Sequence, residues 1–251
     1  FFDNTGIAAK YESALVAAIN AGDTEQADRF RLKLEQLGVV TDRGDYRVAL
    51  AMATANDLGG AYARMQQIAP RDKPGYPSAH YWIAQNMLDG KLGVSVEEAT
   101  AIAIDHIRML RILIGDQPDL SFMEALANFR VENYAAAKNI LGQINRSFSP
   151  ALALRIEIAL RQDQRTEARE DALALLRQLT LLTDAGRELN DTERQWQVAA
   201  SQLIGDQKAV ETAIESWYQA NPNSSDAKSN RGLQLLGTFD KWMKQPDLDT
   251  L

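Results

Sequence analysis

Tyr11, Ala14, Leu15 and Ala18 form a phrase that returns at Tyr46–Ala49–Leu50–Ala53 and again at Tyr81–Ala84–Gln85–Leu88. A ring followed by small or apolar positions three, four and seven residues later is the period of one α-helical face. The spacing is 35 residues both times (46 − 11 and 81 − 46). Recurrence at such a period predicts a stack of similar helical units, each burying its apolar face on its neighbours.

The polar punctuation divides the chain into hairpins. The first unit reads Ile7 to Asn20, a turn at Ala21–Thr24, then Glu25 to Leu37, where Ala27, Phe30, Leu34 and Leu37 make one apolar stripe. Gly22 suits a left-handed helix end, and Asp23 or Thr24 suits the next N-cap. Unit two runs from Asp42 to Asn56, turns at Asp57–Gly60 and continues to Ala69. The irregular stretch Pro70–Pro77 follows, either a rigid elbow or a plain connector, with Pro77 placed for the first turn of a helix. Unit three opens at Ser78, and its second helix, Glu97 to Ile114, starts behind a capping-box signature at Ser95–Glu98. Unit four carries Phe122–Ala125–Leu126–Phe129, unit five starts near Pro150, and unit six carries Trp196–Ala199–Ala200–Leu203. A last helix, Asp226 to Lys244, has no hairpin partner before a polar tail. No segment shows the sustained period-two alternation of a strand. The fold class is all-α.

Composition narrows the function classes. With 34 acidic against 27 basic side chains the net charge is −7, which argues against nucleic acid as the main ligand. No stretch approaches the roughly 18–20 apolar residues of a membrane span. Cysteine is absent, so disulfides, thiolate metal sites and a cysteine nucleophile are excluded. The chain opens on Phe1 instead of Met, and a removed signal or membrane anchor upstream is the corresponding expectation. The compartment is otherwise open.

Candidate chemistry is sparse. Phosphate-loop, dinucleotide and nucleophile-elbow motifs are all missing. The two histidines, His80 and His106, lack zinc spacing; His106 reads as packing on an apolar helix face and His80 as structural or groove-edge. Carboxylate pairs such as Glu97–Glu98 and Glu170–Asp171 read as solvated or helix-start charges. Asn145–Ser147, Asn190–Thr192 and Asn223–Ser225 match the glycosylation triplet, a pattern common by chance. No catalytic, metal or cofactor residue is assigned.

The chain resembles the tetratricopeptide-repeat (TPR) family, whose repeats of about 34 residues carry a large residue, a small Leu-Gly-like pair, an aromatic, a small residue in the second helix and a closing Pro. Trp196–Ala199–Ala200–Leu203 with Gly205 and Pro222 is the nearest copy, and Phe122–Ala125–Leu126–Phe129 with Tyr134, Ala137 and Pro150 is the next. Ala27, Ala137 and Ala168 take the small position of the second helix. The first two repeats lack a closing Pro in register and the fifth lacks an aromatic opener; Sel1-like repeats or another helical solenoid are the alternatives. The resemblance implies a right-handed superhelical solenoid of about six antiparallel helix hairpins with a C-terminal capping helix. Residues 1–251 form one domain in this reading, divisible into 1–118 and 119–251. Its concave groove is lined by the first helices.

If each opening aromatic is buried, the next residue and those five and eight further on face that groove. This nominates Glu12, Arg47, Trp82, Asn86, Asp89, Met123, Arg130 and Gln197, with Arg161 and Arg194 nearby. Trp82 and Arg47 stand out because Trp and Arg concentrate binding energy, although Trp82 has a buried alternative. The expected role is a non-enzymatic module binding a protein or peptide segment. The rivals are a structural subunit of a larger assembly and a helical accessory domain of a longer enzyme or membrane-anchored protein.

Overall fold

The computed structural model describes residues 5–37 and 42–231. They contain twelve numbered α-helices, and no strand occurs among the described residues. The helices are α1 (Thr5–Asn20), α2 (Thr24–Gln36), α3 (Asp42–Thr54), α4 (Leu58–Ile68), α5 (Pro77–Leu88) and α6 (Val96–Ile114). They continue as α7 (Pro118–Arg130), α8 (Tyr134–Gln143), α9 (Ser149–Arg161), α10 (Arg165–Asp184), α11 (Asp191–Ile204) and α12 (Gln207–Ala220). Each odd helix packs against the even helix after it, making six hairpins. A further helical stretch, residues 225–231, starts the expected last helix, whose remainder lies outside the described residues.

One turn is used repeatedly. In five hairpins a residue with positive φ (Gly22, Asn56, Glu132, Asp163, Gly205) stands two positions before the first residue of the second helix. The following N–H then reaches back five residues, as in Asp23 to the Ala18 carbonyl, Asp57 to Met52 and Asp206 to Ser201. This satisfies the carbonyls that a helix end leaves bare. Four residues past the start of the turn's second arm sits a buried Ala27, Ala61, Ala137 or Ala168, each bonding back to Asp23, Asp57, Asn133 or Gln164. Small side chains there let paired helices approach closely, as the sequence led us to expect at Ala27, Ala137 and Ala168. Ala99 and Val210 hold the same place in the remaining two hairpins.

The second hairpin departs from expectation. Leu58–Gly60 forms the first turn of α4 and is not part of the loop, because Asp57 caps it by accepting the Gly60 N–H at 2.9 Å. Asn56, at φ 66°, takes the left-handed position. Asn is among the few non-glycine residues that tolerate it. The stretch after α4 is a tight elbow: the Tyr76 N–H donates to the Ile68 carbonyl at 2.8 Å, folding the connection back on the helix end.

The described residues fall in two compact units, Phe1–Gln143 and Ile144–Leu251. In the first, Met65, Ile83, Met87, Ile107, Leu110 and Leu120 are fully buried among α4–α7. A charged cluster joins its early helices: Arg64 of α4 meets Asp28 of α2 at 2.7 Å and Asp45 of α3 at 3.2 Å, while Arg31 meets Asp45 at 3.1 Å. In the second unit Leu152, Leu175, Leu179 and Ala200 form one cluster and Val198, Val210, Ile214, Trp217 and Ala227 another. The Trp217 indole N–H donates to Asp191 at 3.0 Å, so the buried ring keeps its polar edge satisfied.

Candidate functional site

In the first unit the opening helices of neighbouring hairpins touch directly: α1 meets α3, and α5 meets α7. Two proximities mark the ends of the α5–α7 seam. Near the start of the helices, the Asp119 carboxylate is close enough to Tyr81 to help burial, the larger cause, push its phenol pKa up. At the other end a Cβ on Gly90 would lie 3.7 Å from Arg130 Nη1. The offsets agree (119 − 81 = 38; 130 − 90 = 40), so the two helices run side by side in the same direction. Tyr81 and Gln85 of α5 and its C-cap Asp89 are exposed at helical spacing. Along α7, Phe122, Leu126 and Arg130 are partly exposed at the same spacing.

This register differs from the one expected. Tyr81 is 39% exposed and is not buried between helices. The ring that approaches Tyr46 is Tyr76, from the elbow before α5, with centroids 5.3 Å apart. His80, Ile83, Ala84 and Met87 instead form the buried stripe of α5. The face of α5 is therefore turned by about one residue. Trp82 is half-buried against the core. Asn86 is buried and donates its amide to the Trp82 carbonyl at 2.8 Å, so its polar end is used internally. Met123 is buried in the core of the same unit.

The other nominated positions keep surface. Asp89 is exposed and pairs with Lys91 at 2.7 Å. Arg47 and Arg130 are partly exposed, and neither makes an ion pair among the described residues. Glu12 is exposed on α1. Gln197 belongs to the second unit, where it lines a depression of about 480 Å³ with Leu176 and Thr180 of α10 and Lys208, Thr212 and Ser216 of α12. It thus faces second helices. Of the two nearby arginines, Arg161 bonds Glu157 at 3.0 Å, and Arg194 bonds the Leu189 carbonyl at 3.0 Å. Tyr81 and Gln85 are exposed where the expected register placed a buried ring; the signal for this facing is the continuous buried stripe His80–Ile83–Met87.

The histidines meet in the core. His80 Nδ1 of α5 and His106 Nδ1 of α6 are 2.7 Å apart, and both rings are buried. Burial, then the neighbouring His80, then Arg71 lower the pKa of His106 to about 4, against a smaller opposing pull from Asp105. Burial also lowers that of His80. Among the described residues no cluster of three or more His, Asp or Glu side chains is arranged to hold a metal ion. No described helix is long and apolar enough to cross a membrane.

Stacked hairpins with a repeated turn and a repeated small contact define a helical-repeat protein. No protein-family model matches the chain, and no curated protein matches it. Among solved structures it is similar to PilW, described as a widely conserved type IV pilus biogenesis factor. The TM-score is 0.56 at 9% identity, over 89% of this chain and 97% of that one. At that identity the likeness concerns the fold.

Proposed function

We propose that this chain is a TPR-like, non-enzymatic interaction protein whose first unit binds a segment of a partner protein along the α5–α7 seam. The observation that carries this reading is Tyr81, a 39% exposed ring on the layer of opening helices. It stands beside Asp119 at one end of a seam whose other end carries Arg130, without an ion pair among the described residues. A partly desolvated aromatic with charge at either end is a suitable anchor, since aromatic and Arg side chains dominate interface energies. Arg47 on α3 and Glu12 on α1 extend the same set of opening helices and are secondary contacts. The test compares partner retention by wild type and a Tyr81→Ala/Arg130→Glu variant, after circular dichroism establishes equal helicity. Equal retention by both would reject the seam as the binding face.

A second reading, a scaffold subunit of a larger assembly, is favoured by α10, where Leu173 and Leu181 are exposed on one helix face. PilW's description as a pilus biogenesis factor is compatible with such a role here. Under that reading Leu173→Asp/Leu181→Asp, not the Tyr81 variant, releases the partner.

A further inference from the structure

We propose that the His80–His106 pair is an acid-released latch that closes the α5–α6 hairpin while both rings are neutral. The geometry is specific. Two Nδ1 atoms at 2.7 Å require one ring to present Nδ1–H and the other a lone pair. A proton added at the acceptor Nδ1 places two N–H groups head to head and deletes the bond, whereas one added at the donor ring's Nε2 keeps the bond and leaves a buried imidazolium. The charge would also lie in a core of Ile83, Met87, Ala103 and Ile107, all buried. His80 Nε2 is buried with no hydrogen-bond partner of normal geometry, although the Lys73 backbone approaches and favours the charged ring slightly. A protonated His80 would therefore carry a buried donor met only by the imperfectly placed Lys73 backbone.

The surrounding charges do not neutralise an imidazolium. From the elbow, Arg71 opposes protonation of His106 and binds Asp105 at 2.5 Å. Asp105, on α6 itself, is the one nearby carboxylate that favours the charged ring, and it is already shared by Arg71 and Arg108. From α7, Glu124 is bound to Arg111, further along α6. From α3, Asp45 is held by Arg31 and Arg64, and Tyr46 lies against Tyr76. Tyr62 of α4 is neutral, its phenol pushed up chiefly by burial.

The sign follows from linkage. A ring neutral in the closed hairpin but with an ordinary pKa of about 6.5 once released takes up protons on opening. Opening is therefore favoured as pH falls below about 6.5, by up to about tenfold per ring per pH unit until the closed form itself protonates. For His106, at about 4 when closed, the closed-to-open ratio falls on the order of 50- to 100-fold between pH 7 and 4.5. Because Tyr81 follows His80 directly, release of α5 would also withdraw the binding face; that consequence alone rests on the function proposed above.

The test is amide hydrogen exchange of the full chain without any partner, at pH 7 and pH 4.5, corrected for intrinsic exchange rates. The expected result is a loss of protection in α5 and α6 on the order of 50-fold or more, abolished in His80→Leu/His106→Leu. Replacing both partners by apolar groups leaves no orphaned polar atom. An equal loss in that variant, or none in wild type, overturns the latch. Should the variant not fold, imidazole nitrogen shifts of the wild type decide. The latch requires both rings neutral at about pH 5.5 with one proton on an Nδ1, whereas a ring titrating near 6.5 contradicts it. Partner binding that fails at pH 7 would count against the seam and leave the latch standing.

Discussion

Arg155 of α9 donates its Nε–H to Asp171 of α10 at 2.9 Å, and that carboxylate is only 4% exposed. The pair ties together the first hairpin of the second unit. Truncating one partner strands the other, whereas removing both with well-packed apolar groups is close to neutral. Asp171→Ala should lower stability by about 2–3 kcal/mol, below the usual range for buried pairs because Arg155 keeps some water. Arg155→Leu/Asp171→Leu should recover most of that. Urea titration of both variants checks the non-additivity.

Gly75 is required by contact instead of by dihedral angle. A Cβ there would lie 2.3 Å from the Ile68 carbonyl oxygen and 2.9 Å from Ala69 Cα, both backbone atoms that cannot step aside. Gly75→Ala should destabilise the first unit by about 1–3 kcal/mol, the usual cost of overpacking. Gly59→Ala, with open space around its Cβ, is the control and should be neutral or slightly stabilising. Thermal unfolding followed by circular dichroism separates the two.

The depressed His106 pKa has an equilibrium consequence for the whole chain. Its folded value of about 4 lies below the ordinary 6.5, so the unfolded state binds more protons between these values. Stability should be independent of this group above pH 7 and fall by about 3 kcal/mol as pH drops to 4, then level off. Denaturant midpoints for wild type and His106→Leu across that range should converge as the wild type loses its advantage.

The hairpins were legible because their signals are local. Ala27, Ala137 and Ala168 at the small-contact position, Gly22 and Gly205 at left-handed turns, and Pro77 at a helix start are each dictated by one residue's own sterics. Asn56, Glu132 and Asp163 do the same work as the glycines without glycine's signature, so sequence alone places the second turn at Asp57–Gly60 and makes it too long. The facing of α5 was not legible, since it depends on which of two adjacent rings the preceding elbow supplies to the core. Tyr76 fills that place, and Tyr81 is left outside. Nor does sequence spacing reveal that His80 and His106 meet, because they lie 26 residues apart on facing helices.

The binding face itself makes a graded prediction. Tyr81→Ala and Arg130→Glu should each weaken partner binding by about tenfold, with unchanged circular dichroism, because both side chains stand outside the core. Met123→Ala should instead lower stability by about 2–4 kcal/mol, because its side chain is core.

The most direct measurement is site-specific photocrosslinking in the native host, with the photoreactive residue placed in turn at Tyr81, at Gln85 and at Arg108 on the exposed side of α6. One protein should be captured from positions 81 and 85 and not from 108, and Arg130→Glu should suppress the adducts. Capture from 108 with none from 81 or 85, or adducts indifferent to Arg130, would contradict the seam as the binding face.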